Sequence, residues 1–367
     1  MLKYSAQRIT TGSAIRLSSA GFHTTVAAEQ SSAFPPSELY QSAYKELKHG
    51  LDYYKTKKSM RSLVYRPKNA KRLVAAELYN EEEGKRIMPQ EFAGTIRKSA
   101  LNKLTLNISS YDELKKSQDM ILALAAANKA DAQKHCVQEE HFINLLFSGA
   151  KLNKFSHTLS FLYKHNSPIL KFLDSKIVQV IHVLNGVFRL NTPGYDLESL
   201  SLKEFIRRLN VPITELKGEE LSKLNDIFKQ DPQLALSYSA ALINYMTLKP
   251  KSASFVIPKI TEILDNIDLN ILQTSSLESK ASGFKNSTQI QYFVLKAVQQ
   301  QFLKLQSVEQ FADKSKQILD KITPFVETFE QKVGAANGKS NIYEKVLAES
   351  KFGKPVVAET QPAAEEQ

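Results

Sequence analysis

From about residue 110 onward, apolar residues recur at intervals of three and four. Val308, Phe311, Ile318 or Leu319, and Ile322 form one such stripe, and Leu295, Val298, Phe302 and Leu305 form another. This spacing is that of a helix with one buried face. Serine or threonine followed three residues later by glutamate or glutamine precedes several apolar segments, at Ser110 and Glu113, Ser201 and Glu204, Thr288 and Gln291, and Ser307 and Gln310. Each pair fits a capping box, in which the two side chains satisfy the open amides of a helix start. Proline and glycine supply the punctuation. Pro168 is expected to open a helix running to about Phe188, with Asn191–Gly194 turning the chain afterwards. Pro212, Pro232, Pro250 and Pro258 fall between or at the starts of apolar segments; Thr323 and Pro324 read as cap and first helical residue, and Gly334 as a stop. Only Lys103–Ser109, KLTLNIS, alternates like a strand. The pattern predicts an all-α chain of about ten to fourteen helices, as an antiparallel bundle or an irregular array of helical hairpins.

Five regions follow: a leader over 1–28, a basic region over 29–109, a helical hairpin domain over 110–190, a C-terminal helical domain over 195–350, and a disordered tail over 351–367. The leader carries Lys3, Arg8 and Arg16, eight serines and threonines, and no acid before Glu29. That is the composition of a mitochondrial transit peptide, so a matrix location is expected. The longest apolar run, Met120–Ala127, is far below the ~18 residues needed to span a bilayer. No transmembrane segment is expected, although peripheral contact with the inner membrane stays open.

Charge changes the picture more than overall composition does. The formal net charge is +11, and residues 45–72 hold ten cations against Glu46 and Asp52, a net +8. The reading here is a cationic helix to about Val64, then a loop or arm from Tyr65 to Arg72, because Pro67 forces Arg66 into extended backbone. Lys55, Lys57, Lys58, Arg61, Arg66, Lys68, Lys71 and Arg72 are the expected phosphate contacts, each gaining affinity through counterion release. Tyr53 and Tyr65 are the stacking candidates for unpaired bases, while Tyr54 faces the core. The same cations also suit an acidic protein, a cardiolipin surface or plain solvation.

Catalytic signatures are lacking. Gly334–Ser340, GAANGKS, has three residues between its glycines where a phosphate-binding loop needs four, and it follows a helical segment rather than a strand. His135 and Glu139 in HCVQEEH share a helix face but have no HExxH pattern around them, and His182 sits in an apolar helix. The lone Cys136 excludes an intramolecular disulfide, and just 13 glycines argue against nucleotide-binding α/β folds. No enzyme activity, cofactor or metal is expected.

His141–His165, HFINLLFSGAKLNKFSHTLSFLYKH, resembles a pentatricopeptide-repeat hairpin through Phe142, Leu145, Leu146, Lys151, Leu159, Phe161 and Leu162. Asn153 stands where the repeat has its turn glycine, Thr158 where it has a small alanine, and there is no second copy at a ~34-residue period, so the segment reads as a generic helical hairpin. With its presequence, helical body and basic segment, the chain is similar as a class to fungal mitoribosomal and ribosome-associated helical proteins. That resemblance implies a mitochondrial matrix protein of gene expression, binding mitochondrial rRNA or mRNA as a subunit of the mitochondrial ribosome or as a translation factor bound to it. The alternative is a helical scaffold or assembly factor that docks on the inner membrane or a respiratory complex and does not bind RNA.

Overall fold

The computed structural model describes residues 37–79, 84, 86–91, 96–126, 136–275, 277, 285–335 and 341–353. The expected presequence, the greater part of the expected tail and residues 336–340 of GAANGKS lie outside this set, as does His135. The described chain is all-α, with sixteen α-helices; the only β pairing among these residues is an isolated antiparallel bridge between Tyr79 and Arg86.

The N-terminal part comprises α1 (Glu38–Lys55), α2 (Lys58–Val64), α3 (Ala70–Ala75), α4 (Lys98–Leu106) and α5 (Tyr111–Ala126). Next come α6 (Glu139–Lys151), α7 (Phe155–Lys164), α8 (Asn166–Ile169) and α9 (Ser175–Val183), the last continuing as a π-turn over Leu184–Phe188. The remainder is α10 (Leu202–Leu216), α11 (Leu224–Gln230), α12 (Pro232–Leu248), α13 (Ala253–Asn266), α14 (Asn286–Leu305), α15 (Ala312–Ala335) and α16 (Ile342–Ala348). The main hydrophobic core runs through these helices other than α2 and α3, from Tyr40 to Phe352, and Val64, Tyr65 and Leu73 form a second, smaller one. At its centre lies α12, which is buried on all sides from Leu234 to Tyr245 and packs against α9, α13 and α14. A helix that is apolar all round has no amphipathic stripe because it has no solvent side.

Small residues let α12 come close to the π-turn. A Cβ at Gly186 would overlap the Cβ of Ala241 and reach 3.0 Å from its Cα. Gly186→Ala should therefore cost about 2 to 3 kcal/mol through overpacking, and Ala241→Gly in the same chain should recover part of the loss. Urea unfolding of Gly186→Ala, of Ala241→Gly and of the double variant measures both effects.

The structure departs from several sequence expectations. Lys103–Leu106 ends helix α4 instead of forming a strand, because Ala100, Leu101, Leu104 and Thr105 pair up on one buried helical face that begins upstream of the alternating window. Pro212, Pro258 and Pro324 lie inside α10, α13 and α15 and do not divide helices. For Pro258 and Pro324 the residues four positions back, Ser254 and Asp320, are exposed, so water can satisfy the freed carbonyls. Pro168 sits in the short α8, and α9 has its own cap at Asp174.

Two of the four capping boxes form in part. Ser110 Oγ accepts the Glu113 amide at 3.3 Å, but Glu113 Oε2 accepts from Ser109 N and Oγ, each at 2.8 Å. Ser201 Oγ accepts the Glu204 amide at 3.2 Å, while the Glu204 carboxylate goes to Arg207 and Arg208. The other two are not helix starts. α14 begins before Thr288, and α15 begins at Ala312, beyond Ser307, whose hydroxyl donates to the Lys304 carbonyl. A box unforeseen in the sequence starts α6. There the Gln138 side chain accepts from the His141 amide, and His141 Nδ1 accepts the Gln138 amide at 3.0 Å.

The segment that resembles a repeat hairpin is α6 followed by α7, packed together. Asn153 takes a left-handed turn conformation at φ 59°, which asparagine tolerates better than most residues. Thr158 packs directly on Gly149 where the helices cross.

Buried titratable groups make stability depend on pH. His182 is fully buried, with Nε2 2.9 Å from the Leu209 carbonyl, and burial lowers its pKa to about 4. Burial also lowers His141 to about 4. Both should stay neutral in the folded chain while the unfolded chain takes up protons near pH 6.5, so their stabilisation is present above pH 6.5 and lost as pH falls toward 4. Glu139 opposes them. Its Oε1 accepts from Asp174 N and Ile177 N at 2.9 Å each, at the start of α9, and burial raises its pKa to about 7. Keeping this group ionised costs stability above pH 7, and that cost disappears as pH falls toward 4.5. Glu139→Gln retains the accepting oxygen without the charge. We expect it to raise stability at pH 8 by roughly 2 kcal/mol and to steepen the loss between pH 7 and 4 in a pH series of urea midpoints.

Candidate nucleic-acid interface

Helix α1 carries apolar residues at Tyr40, Ala43, Leu47 and Leu51, which bury it against α4 and α5. Lys45, Lys48 and Lys55 lie on the exposed side, within about a quarter turn of one another and about 15 Å from end to end at 1.5 Å per residue. The helix stops at Lys55, where Thr56 and Lys57 adopt extended backbone. The single cationic helix expected up to Val64 is thus two helices with a joint at Thr56 and Lys57. The β-branched Thr56 supports the stop, its hydroxyl donating to the Asp52 carbonyl at 2.8 Å.

Beyond the joint a compact module forms around Val64, Tyr65 and Leu73, with Tyr53, Leu63, Leu78 and Ile87 packed against them. Arg66 is extended, as the proline rule requires, but Pro67–Asn69 is a turn of 3₁₀ helix and Ala70–Ala75 is helical. The expected arm from Tyr65 to Arg72 is therefore a correction: Pro67 starts a helical turn, whose missing amide would be unpaired there in any case. Asn69 Nδ2 donates to the Ser62 carbonyl at 2.6 Å, and the Gln90 amide donates to the Val64 carbonyl at 2.8 Å, closing the module on itself.

Of the residues expected to meet phosphates, Lys55, Lys57, Lys58, Arg66, Lys68, Lys71 and Arg72 are exposed on the joint and the module. Among the described residues none of the seven has a carboxylate within ion-pair distance. Lysines of the helical body are paired more often; Lys98 meets Glu140 at 2.9 Å, and Lys296 meets Glu330 and Glu344 at 3.0 Å each. With no carboxylate in ion-pair range of these seven among the described residues, they repel one another and set up a positive field that attracts polyanions.

Arg61 has a different position. Its Nε donates to the Thr56 carbonyl at 2.9 Å and one terminal nitrogen to the Tyr54 carbonyl at 2.7 Å, at the negative end of α1. The guanidinium also lies 5.1 Å from the Tyr53 ring centre and 5.7 Å from that of Tyr54. Arg61 is a clamp between α1 and α2. Tyr65 is 3 % exposed, and its ring meets Tyr53 edge-on with centroids 4.8 Å apart. Tyr54, expected to face the core, is half-buried beside Arg61. Sequence reasoning passed over Tyr79, which is 60 % exposed in this module. Its flank of Asn80–Glu83 gave no apolar periodicity to mark it.

Among the described residues no cluster of three or more histidine, cysteine, aspartate or glutamate side chains is arranged to hold a metal, and no helix is long and apolar enough to cross a membrane. No curated protein matches the sequence. Residues 18–107, which take in α1 to α4 and end where α4 ends, match the family model of the MRP13-like N-terminal domain; MRP13 is a family of mitochondrial ribosomal proteins, and the match points to a mitochondrial ribosome-related protein.

Proposed function

We propose that the chain acts in mitochondrial translation, as a subunit of the mitochondrial ribosome or a factor bound to it in the matrix, and that the cationic module holds it on RNA. The observation that carries this reading is the coincidence of two features in one segment: the domain match over 18–107 and the seven exposed cations from Lys55 to Arg72 that have no carboxylate partner among the described residues. The helical body then serves as scaffold, with α4 and α5 fixing α1 so that the module projects from a rigid base. On this reading the chain is not an enzyme, and the basic surface works by neutralising phosphates.

Salt dependence tests it. Binding of the purified chain to mitochondrial ribosomal RNA, followed by anisotropy, should weaken linearly in log Kd against log salt, with a slope of about 4 to 6 if most of the seven cations meet phosphates. A slope near zero would remove the phosphate contacts from the account.

A further inference from the structure

Resting on the reading that the module contacts RNA, we infer that its ligand is helical, base-paired RNA held by the phosphate backbone, and not an unpaired strand read through its bases. Proteins that take single strands offer aromatic faces on which bases stack, whereas duplex RNA is held by shape and by contacts to phosphates and 2′-hydroxyls.

The three tyrosines around the joint are already engaged with one another and with Arg61. Tyr65 is buried against Val64 and Leu73, and Tyr53 lies edge-on to both Tyr54 and Tyr65, at 5.4 and 4.8 Å. The Arg61 guanidinium lies near both remaining rings and is fixed there by two carbonyls, so a base would have to displace a charge already bonded to the backbone. Tyr79 is exposed, but among the described tyrosines of the module it is the one exposed ring, and a single ring gives an unpaired strand no second platform on which to stack. What faces outward here is a set of lysines: Lys45, Lys48 and Lys55 along one side of α1, then Lys57 and Lys58 at the joint. Asp52, half-buried, is the acid within that stripe. The three lysines on α1, a straight row of about 15 Å on one helix, suit the regular phosphate rail of a helix better than a flexible strand, which would lose conformational freedom to follow them.

The experiment compares the full chain on a perfectly paired RNA hairpin and on an unstructured RNA with the same number of phosphates, at several salt concentrations. The hairpin should bind at least about tenfold tighter, and changing its base-pair sequence should shift affinity less than about twofold. Tyr79→Leu should leave both affinities unchanged, and Tyr53→Leu should not weaken the unstructured RNA selectively. Tighter binding of the unstructured RNA, or its selective loss in either tyrosine variant, would overturn the inference while leaving RNA contact intact. Binding of neither RNA, with the protein folded by circular dichroism, would overturn the RNA reading itself and this inference with it.

Discussion

Replacing Tyr343 by alanine should cost about 3 to 5 kcal/mol of stability, the largest effect of any single substitution considered for this chain. Tyr343 is fully buried on the short helix α16, its ring centre 4.4 Å from that of Phe147 on α6. Its hydroxyl donates to Asn144 Oδ1 at 3.1 Å, and Asn144 Nδ2 donates to Thr105 Oγ1 at 3.0 Å, while Ser148 Oγ donates to the Thr105 carbonyl at 2.8 Å. A polar thread therefore joins α16, near the end of the chain, to α4, at the end of the matched domain. Removing the ring leaves a cavity against Phe147 and strands Asn144 Oδ1 in the core, which is why the loss should exceed that of apolar truncation alone. Tyr343→Phe separates the two contributions. It keeps the ring and should cost about 1 kcal/mol, close to the hydrogen bond alone. Urea denaturation of both variants measures these effects; equal losses would mean that the ring contributes little and the thread nearly everything.

The second large effect concerns binding and should leave folding untouched. Lys57→Glu, Lys58→Glu, Lys68→Glu and Lys71→Glu, made together, reverse four exposed charges that have no partner among the described residues. Exposed positions of this kind change stability by little, and relief of mutual repulsion should offset what is lost. The affinity for ribosomal RNA at physiological salt should fall at least about a hundredfold, and the salt slope by about 3. A control on the body, Lys223→Glu with Lys229→Glu, alters two lysines already facing acids at 3.7 and 3.9 Å and should leave RNA affinity nearly unchanged. If the control and the module variant weakened binding equally, net charge rather than the module would be responsible.

The helical class was legible because the buried stripes of α14 and α15 are long enough to outlast local noise. Boundaries were harder to read. KLTLNIS alternates because a helical face at 100, 101, 104 and 105 was viewed through a window starting at 103. The internal prolines misled for another reason: sequence shows the missing amide, but not that the orphaned carbonyls at Ser254 and Asp320 belong to exposed residues. α12 has no amphipathic signal, and its central place follows only from the packing around Gly186 and Ala241.

The candidate site was legible as charge and partly illegible as geometry. Lys55, Lys57, Lys58, Arg66, Lys68, Lys71 and Arg72 face solvent, since lysine and arginine stay hydrated unless something specific draws them inward. Arg61 is such a case, drawn in by the carbonyls that end α1, and no spacing rule announces that. Nor could spacing show that Pro67 would start a helical turn and bring Leu73 back onto Tyr65, converting the expected arm into a folded module.

The measurement that bears most directly on the account is sedimentation of the chain from mitochondrial lysate through sucrose gradients, at low salt, at high salt and after ribonuclease. The chain should migrate with ribosomal particles at low salt and move to the top of the gradient at high salt or after nuclease. The version with four reversed charges should remain at the top under every condition. Migration with membrane fragments that survives nuclease would contradict it.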